Sequence, residues 1–535
     1  MVILTASDTE RRELPHIIIF NPDQYRGDVL GHAGNPAAVT PTLDKLVNTE
    51  AVSFTNAYCQ NPVCTPSRCS FMTGWYPHTR GHRTMHHMLH PERGEPNLLK
   101  TLKEGGYHVW WGGKNDLVPG QGGSRAHCNT YYFPLKKIIK NRSRVMKRSL
   151  HLNAGWRGPP GGDGFYSFYA GKLDLDEADI NADYDVMMVE GAADFVKNYR
   201  GRKPACVYLA LTNPHPPYGI EDPWFSMIDR AKLPPRIPAP RDWAGKPSIL
   251  KGIHDGQHLD LWTEDRWREL RATYYAMCAR VDHQLGTLIE ALKNRGIYDD
   301  CWLFFFSDHG DFTGDYGLVE KTQNTFEDCL IRVPLVIKPP KAFPLRKAGL
   351  NNALVELVDF PATVHDITGI NPRYTQFGRS LLPLLRGERE THRDAVFCEG
   401  GRLRGEEQAM EKQSLRPDAS TDLYYPRIRL QTTDEGPYHT KAATCRTTRY
   451  KYTRRLYEQD EFYDLAGDPA ELHNVIAEPG HARAVQALKD RMLGWYMETA
   501  DEVPWDSDSR NILNIPFGQR IARRIERGKE RKAGG

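Results

Sequence analysis

Residues 16–20 read HIIIF, an apolar run with no polar alternation after its first residue. A strand with one face in water alternates apolar and polar side chains. A continuous run belongs instead to a strand buried on both faces, as in a parallel sheet covered by helices. Similar runs recur at residues 107–111, 207–211, 302–306 and 335–337. Between them lie stretches of helical character. One opens with Thr40 and Pro41 as N-cap and first helical residue, and longer ones span residues 184–199 and 264–294. Strands alternating with helices predict an α/β sheet that collects ligands at the carboxyl ends of its strands.

Past residue 385 the texture changes. The β-like runs DAVFC, KAATCRTTRYKYT and EFYDL precede a helical stretch at residues 482–498. The expected organisation is a catalytic domain over 1–385, a smaller α+β domain over 386–505, and a basic tail over 506–535. The 535 residues hold 71 basic and 68 acidic side chains, a net charge of +3. Residues 520–532 account for seven of the basic and two of the acidic groups, which leaves 64 against 66 elsewhere. A solvated tail, or one that packs between protomers of a homo-oligomer, explains this without a nucleic-acid partner. Ten cysteines scattered through the chain fit reduced thiols in a cytoplasmic protein. The opening MVILTASDTERREL turns charged too early for a signal-peptide core, and no stretch is long and apolar enough for a membrane span.

Two strand ends carry candidate metal ligands. Asn21-Pro22-Asp23-Gln24 follows the first strand, and Ser307-Asp308-His309-Gly310 follows the run at 302–306. Taken singly, an Asp after a strand is a cap or turn former. Together, oxygen and nitrogen donors at two ends of one sheet can converge on a divalent cation. Cys64, in NPVCTPSRCSF, is open to four readings: disulfide partner, metal ligand, thiolate nucleophile or substrate for modification. The cysteine distribution weakens only the first.

The segment Cys64-Thr65-Pro66-Ser67-Arg68 resembles the Cys-x-Pro-x-Arg signature of the formylglycine-dependent sulfatases, in the alkaline phosphatase superfamily. TPTLDKL, SFMTGWYPH, GYHVWWGGK, NPHPPY, FSDHGDFTGDYGLVEK, RVPLVIKPP and FYDLAGDPAELHN resemble further family segments in the family's order, so the likeness covers nearly the whole chain. It implies an α/β fold of alkaline-phosphatase type, with a large mixed, mostly parallel sheet sandwiched by helices and a smaller C-terminal α+β part. It implies oxidation of the Cys64 thiol to 3-oxoalanine (formylglycine) by a separate formylglycine-generating enzyme that reads the unfolded CTPSR segment. The hydrated aldehyde offers one hydroxyl to attack and one to expel the product.

Residue by residue, the resemblance implies one divalent metal ion held by Asp23, Gln24, the modified Cys64, Asp308 and His309. Its catalytic set is Cys64, Arg68, Lys114, His215 and Lys321. Many members have Asp in place of Gln24 and Asn in place of His309, and an imidazole favours Mn2+ over Ca2+, with Mg2+ also open. Asp116 stands where the sulfatase pattern has a histidine. Either it takes over as base, or one of His82, His86, His87 and His90 does. HRTMHHMLH could form a second metal site, but a loop lining the entrance is the preferred reading.

The expected function is a sulfatase that hydrolyses a sulfate monoester of a small molecule or carbohydrate. Gln24 with His309 also resembles the phosphonate monoester hydrolase branch, so a phosphonate monoester or phosphodiester hydrolase is the alternative. A non-catalytic anion-binding protein is the remote one. The loops 117–183 and 219–262 are expected to shape the pocket through their aromatic residues, Tyr131, Tyr132, Trp156, Phe165, Tyr166, Tyr169, Trp224, Trp243 and Trp262.

Replacing Cys64 by Ala is expected to abolish turnover while the protein folds normally, because the nucleophile is lost with little volume. Steady-state rates beside circular dichroism check this, and retention of more than a few per cent of the rate defeats a covalent mechanism at residue 64.

Overall fold

The computed structural model describes residues 14–120, 124–154, 167–411, 427–428, 430, 437–508 and 517–533. In chain order the strands begin with β1 (His16–Asp23), β2 (Val52–Tyr58), β3 (His108–Gly113), β4 (Thr130–Tyr132) and β5 (Tyr169–Lys172). Next come β6 (Ala205–Pro214), β7 (Tyr218–Ile220), β8 (Cys301–Phe306), β9 (Arg332–Val333), β10 (Leu335–Lys338) and β11 (Gly349–Glu356). The last four are β12 (Val396–Gly400), β13 (Ala442–Arg446), β14 (Tyr450–Arg455) and β15 (Glu461–Asp464).

One nine-stranded sheet has the order β11-β2-β10-β8-β1-β6-β3-β4, with β9 added on β2. β1 runs parallel to β6 and β8, β3 is parallel to β6 and β4, and β11 is parallel to β2. The exceptions are β10, antiparallel to both β8 and β2, and β9, antiparallel to β2. Mixed but mostly parallel is the expected architecture, and β1 lies in its interior.

The HIIIF run is apolar throughout because it feeds two cores. Ile17 and Ile19 pack on one face with Tyr208, Phe304 and Phe306, under the helices Cys64–Thr73 and Asp359–Thr368. Ile18 and Phe20 face the other way with Val207, Leu209, Leu303 and Phe305, under the helices Tyr184–Asn198 and Glu264–Arg295. In register, Ile18 lies opposite Val207 and Leu303, and Phe20 opposite Leu209 and Phe305, so each layer is matched across three strands.

Two details differ from the sequence reading. Thr40 sits at the N-cap of helix Pro41–Thr49 but its side chain does not cap it. The Asp282 carboxylate, from the long helix, accepts the orphan N–H groups of Thr42 and Leu43 instead, while the Thr40 hydroxyl is engaged with Gly31 and Asp44. The strand at 207–211 is longer than its apolar run. Its polar end continues because the Asp185 carboxylate accepts the backbone N–H groups of Thr212 and Asn213.

The C-terminal α+β layer is the antiparallel sheet β12-β13-β14-β15 with the helix Ala482–Thr499. Phe397, Tyr452, Phe462 and Trp495 form its core together with Tyr76 and Val358. Residues up to Pro372 and from Gln376 to Asp501, which include this layer, form one compact unit. Residues Arg373–Thr375 and Glu502–Gly535 form a second unit, whose described part contains the helix Phe517–Ala533. Among the described residues no helix is long and apolar enough to cross a membrane.

Ile19 is fully buried in the interior of the sheet. Ile19→Ala is expected to cost about 2–5 kcal/mol in denaturant unfolding, the usual loss for a large aliphatic side chain in a close-packed core. A loss below about 1 kcal/mol contradicts the packing described here.

Candidate active site

The functional side chains sit where a parallel sheet puts them. β1, β2, β3, β6 and β8 all point their carboxyl ends to one edge. β1 ends at Asp23, with Gln24 next; β3 leads to Lys114, β6 to His215, and β8 to Asp308 and His309. Cys64 follows β2 and opens the helix Cys64–Thr73. Gln24 has a φ of 66°, in the left-handed region that side chains rarely adopt, so the chain turns sharply at the strand end.

Asp23, Cys64, Asp308 and His309 are buried, and their donor atoms all lie within 4.8 Å of one another. Cys64 Sγ is 3.1 Å from His309 Nε2 and 3.5 Å from Asp23 Oδ1. His309 Nδ1 lies 2.9 Å from the Gly310 carbonyl, which can only accept, so the proton is on Nδ1 and the Nε2 lone pair faces the cluster. Two carboxylates, a neutral imidazole and a sulfur at such spacing suit a divalent cation. Among the described residues no other group of three or more His, Cys, Asp or Glu side chains converges in this way. His82 turns Nδ1 to the His87 carbonyl and His90 pairs with Glu92, so HRTMHHMLH does not assemble a second metal site.

Arg68 lies one helical turn beyond Cys64 and is buried. Its Nε is 2.9 Å from Asp308 Oδ2 and its Nη2 2.9 Å from Asp23 Oδ2. Nη1 reaches Asn21 Oδ1 at 2.9 Å and the Tyr208 hydroxyl at 3.2 Å. The guanidinium therefore grips the two carboxylates of the cluster.

Lys114 Nζ is 2.7 Å from Asp23 Oδ2, 2.9 Å from Asp116 Oδ2 and 3.5 Å from Cys64 Sγ. Asp116 thus pairs with the ammonium that it would otherwise leave to repel or attract alone. Lys321 Nζ donates to Gln24 Oε1 at 2.6 Å and lies 3.2 Å from Glu320 Oε1. His215 Nδ1 is tied to the Pro216 carbonyl at 2.7 Å, which leaves Nε2 as the acceptor.

Electrostatics follow from this layering. Burial, reinforced by the Asp23 charge, pushes the Cys64 thiol up to about 12, so an unmodified Cys64 is not a ready thiolate. Burial opposes charge on Asp23, but the Lys114 ammonium and the Arg68 guanidinium hold its carboxyl well below the usual range. Burial also opposes charge on Lys114, and Asp116 and Asp23 together override it, holding the ammonium well above its ordinary value. His215 is pushed down to about 3 by burial and by the neighbouring Lys321 and Lys114 ammonium groups, so it is neutral.

The structure links Asp23, Cys64, Arg68, Lys114, Asp116, Asp308 and His309 by direct contacts, joins Lys321 to Gln24, and adds contacts from four residues to which the sequence reading gave no role: Asn21, Tyr208, Asp311 and Glu320. Asn21, Asp311 and Glu320 lie inside quoted segments, whereas Tyr208 reads in sequence as core. Several expected pocket aromatics are packing residues instead. Tyr132 stacks on Trp110, and Trp262 is wedged between Tyr169 and Trp267. Trp224 and Trp243 each pack against a histidine. Trp156, Phe165 and Tyr166 fall outside the described residues.

A family model described as Sulfatase matches residues 15–370. The multifunctional alkaline phosphatase superfamily protein PehA of Trinickia caryophylli is 25% identical over 91% of this chain and 96% of its own. The choline-sulfatase of Rhizobium meliloti is 26% identical over 93% of this chain and 90% of its own. In fold, the chain superposes on the phosphonate monoester hydrolase of Agrobacterium radiobacter with a TM-score of 0.70, at 24% identity, covering 91% of this chain and 96% of the other.

Asp23→Ala and Asp308→Ala are each expected to lose bound metal and activity together, since each removes an anionic donor and strands the Arg68 guanidinium. Full metal occupancy in both variants by elemental analysis would place the ion elsewhere.

Proposed function

The chain belongs to the sulfatase family of the alkaline phosphatase superfamily and is a sulfuric ester hydrolase, and from that membership we propose that it cleaves sulfate monoesters through a formylglycine derived from Cys64. The observation that carries this reading is the buried convergence of Asp23, Cys64, Asp308 and His309, with Lys114 3.5 Å from the sulfur. Because Cys64 is fully buried, its oxidation by a formylglycine-generating enzyme has to precede folding, when the CTPSR segment is still accessible. Hydrated, the aldehyde would present one hydroxyl to attack sulfur and another to release sulfate by collapse. A divalent cation, Mn2+ or Ca2+ with Mg2+ also admitted, would be held by Asp23, Gln24, Asp308, His309 and the modified residue 64 and would supply Lewis-acid polarisation.

The side chains divide the remaining work. Arg68 holds Asp23 and Asp308 in place, and with Lys114 it keeps Asp23 ionised. Lys114 and Lys321 offer ammonium groups to the non-bridging oxygens of the ester, where charge gathers as the ester bond breaks. Asp116 fixes Lys114 through its 2.9 Å pair, so its role in this scheme is orientation. Of the two groups near the departing alcohol, Lys321 carries a proton to donate, whereas neutral His215 carries an acceptor at Nε2. The substrate is a small-molecule or carbohydrate sulfate ester. Ten unpaired cysteines support a reducing, cytoplasmic compartment, and the basic tail supports assembly into a homo-oligomer.

Gln24 and His309 favour one second reading, a phosphonate monoester or diester hydrolase using the same nucleophile. Lys114 separates the two. A sulfate monoester exposes three terminal oxygens, whereas a diester or phosphonate monoester places an organic group where one of them would be. Lys114→Ala is expected to lower kcat/KM for sulfate monoesters by roughly 10²-fold, the scale of losing one preorganised charge-stabilising donor, and to affect phosphonates much less. Equal losses on both substrate types would remove Lys114 as the discriminating group. A wild-type preference for the phosphonate would reverse the assignment.

A further inference from the structure

Gln24 carries an amide, and an amide has two unlike ends. Presented oxygen first, it accepts from Lys321 and can face a cation; presented nitrogen first, it repels both. Its side chain is buried, and the local hydrogen bonds show what sets its direction. Lys321 Nζ, which can only donate, lies 2.6 Å from Oε1. On the other side, Nε2 donates to Asp311 Oδ2. Asp311 is itself pinned: Oδ1 accepts from the Thr313 backbone N–H at 2.6 Å and the Thr313 hydroxyl at 2.7 Å, while the Tyr218 hydroxyl lies 2.9 Å from both Oδ1 and Oδ2. Tyr218 is held in turn by the backbone N–H of Glu320, next to Lys321.

We infer that Asp311 is a positioning residue that fixes the Gln24 amide with its oxygen toward Lys321 and the metal position, and that it supplies from one layer out the negative charge which a carboxylate at position 24 would carry itself. This rests on the reading of Gln24 as a metal ligand. Asp311 touches neither substrate nor the reacting atoms in this account; it acts only through the amide.

The hydrogen bonds dictate what a substitution does. In Asp311→Asn the two Thr313 donors retain the new carbonyl oxygen at the Oδ1 position, so the new NH2 group faces the Gln24 NH2 group. The Gln24 amide then has to turn over or lose its partner. In Gln24→Glu two carboxylates face each other across the same gap. The double change Gln24→Glu with Asp311→Asn restores a donor–acceptor pair in the reverse sense, with the carboxylate still able to accept from Lys321.

The test is Mn2+ affinity by calorimetry on full-length, metal-stripped protein, with melting temperature as a check on folding. Asp311→Asn is expected to bind Mn2+ about 10- to 100-fold more weakly than wild type, the scale found when a group that orients a metal ligand is removed. The reciprocal double variant is expected to bind at least tenfold more tightly than Asp311→Asn. Thr313→Val, which removes only one donor to Asp311, should shift affinity in the same direction by less, and it serves as the probe if Asp311→Asn fails to fold. Wild-type affinity in the folded Asp311→Asn protein, or a double variant no better than Asp311→Asn, would overturn the inference while leaving the metal site intact. Failure of the wild-type protein itself to take up Mn2+, Ca2+ or Mg2+ would overturn the metal reading, and this inference with it.

Discussion

The Arg68 guanidinium, held between Asp23 and Asp308, is the interaction on which the active edge depends. Two carboxylates brought together in a water-free interior repel each other, and neither can ionise cheaply without a counter-charge. A guanidinium suits the place because its planar fork reaches both acids and Asn21 at once and never loses its proton. It also joins three elements: β1 through Asp23 and Asn21, β8 through Asp308, and the helix carrying Cys64. The position of residue 64 is therefore tied to the acids that surround it.

The same rule repeats outward. Each cation that faces the site is backed by an acid: Lys114 by Asp116, and Lys321 by Glu320, which Arg427 also contacts. Buried charges survive only when paired, and here the pairing keeps both ammonium groups protonated and aimed at one small volume. Glu320 is held down to about 2, against its burial, by Lys321 and Arg427. This edge is thus a preorganised electrostatic environment, the arrangement that stabilises charge developing on an ester oxygen at least reorganisation.

The fold contributes the aim. Parallel strands deliver five functional segments to one edge, and helices on both faces exclude water beneath it. The polar end of β6 shows how local chemistry extends the scaffold. Asp185, on a helix packed against the sheet, captures the backbone of Thr212 and Asn213 and carries the chain as far as His215.

The sequence alone determined the sheet, because an uninterrupted apolar run such as HIIIF is stable only between two cores. It also pointed to the cluster, because Asp23, Asp308 and His309 are metal-capable residue types at strand ends, while Cys64 joined them through the resemblance of its motif to the sulfatase signature. Tertiary structure decided the partners. That Arg68 holds the acids, that Asp116 neutralises Lys114, and that Asp311 orients Gln24 depend on side chains up to 287 residues apart meeting in space. It also decided that Trp262 is a core residue and that Tyr132 packs against the core, since an aromatic ring in a loop looks the same in sequence whether it packs or binds. Periodicity and residue chemistry are local and survive in the linear chain; pairing of buried charges is a property of the folded interior, where distance and desolvation select each partner.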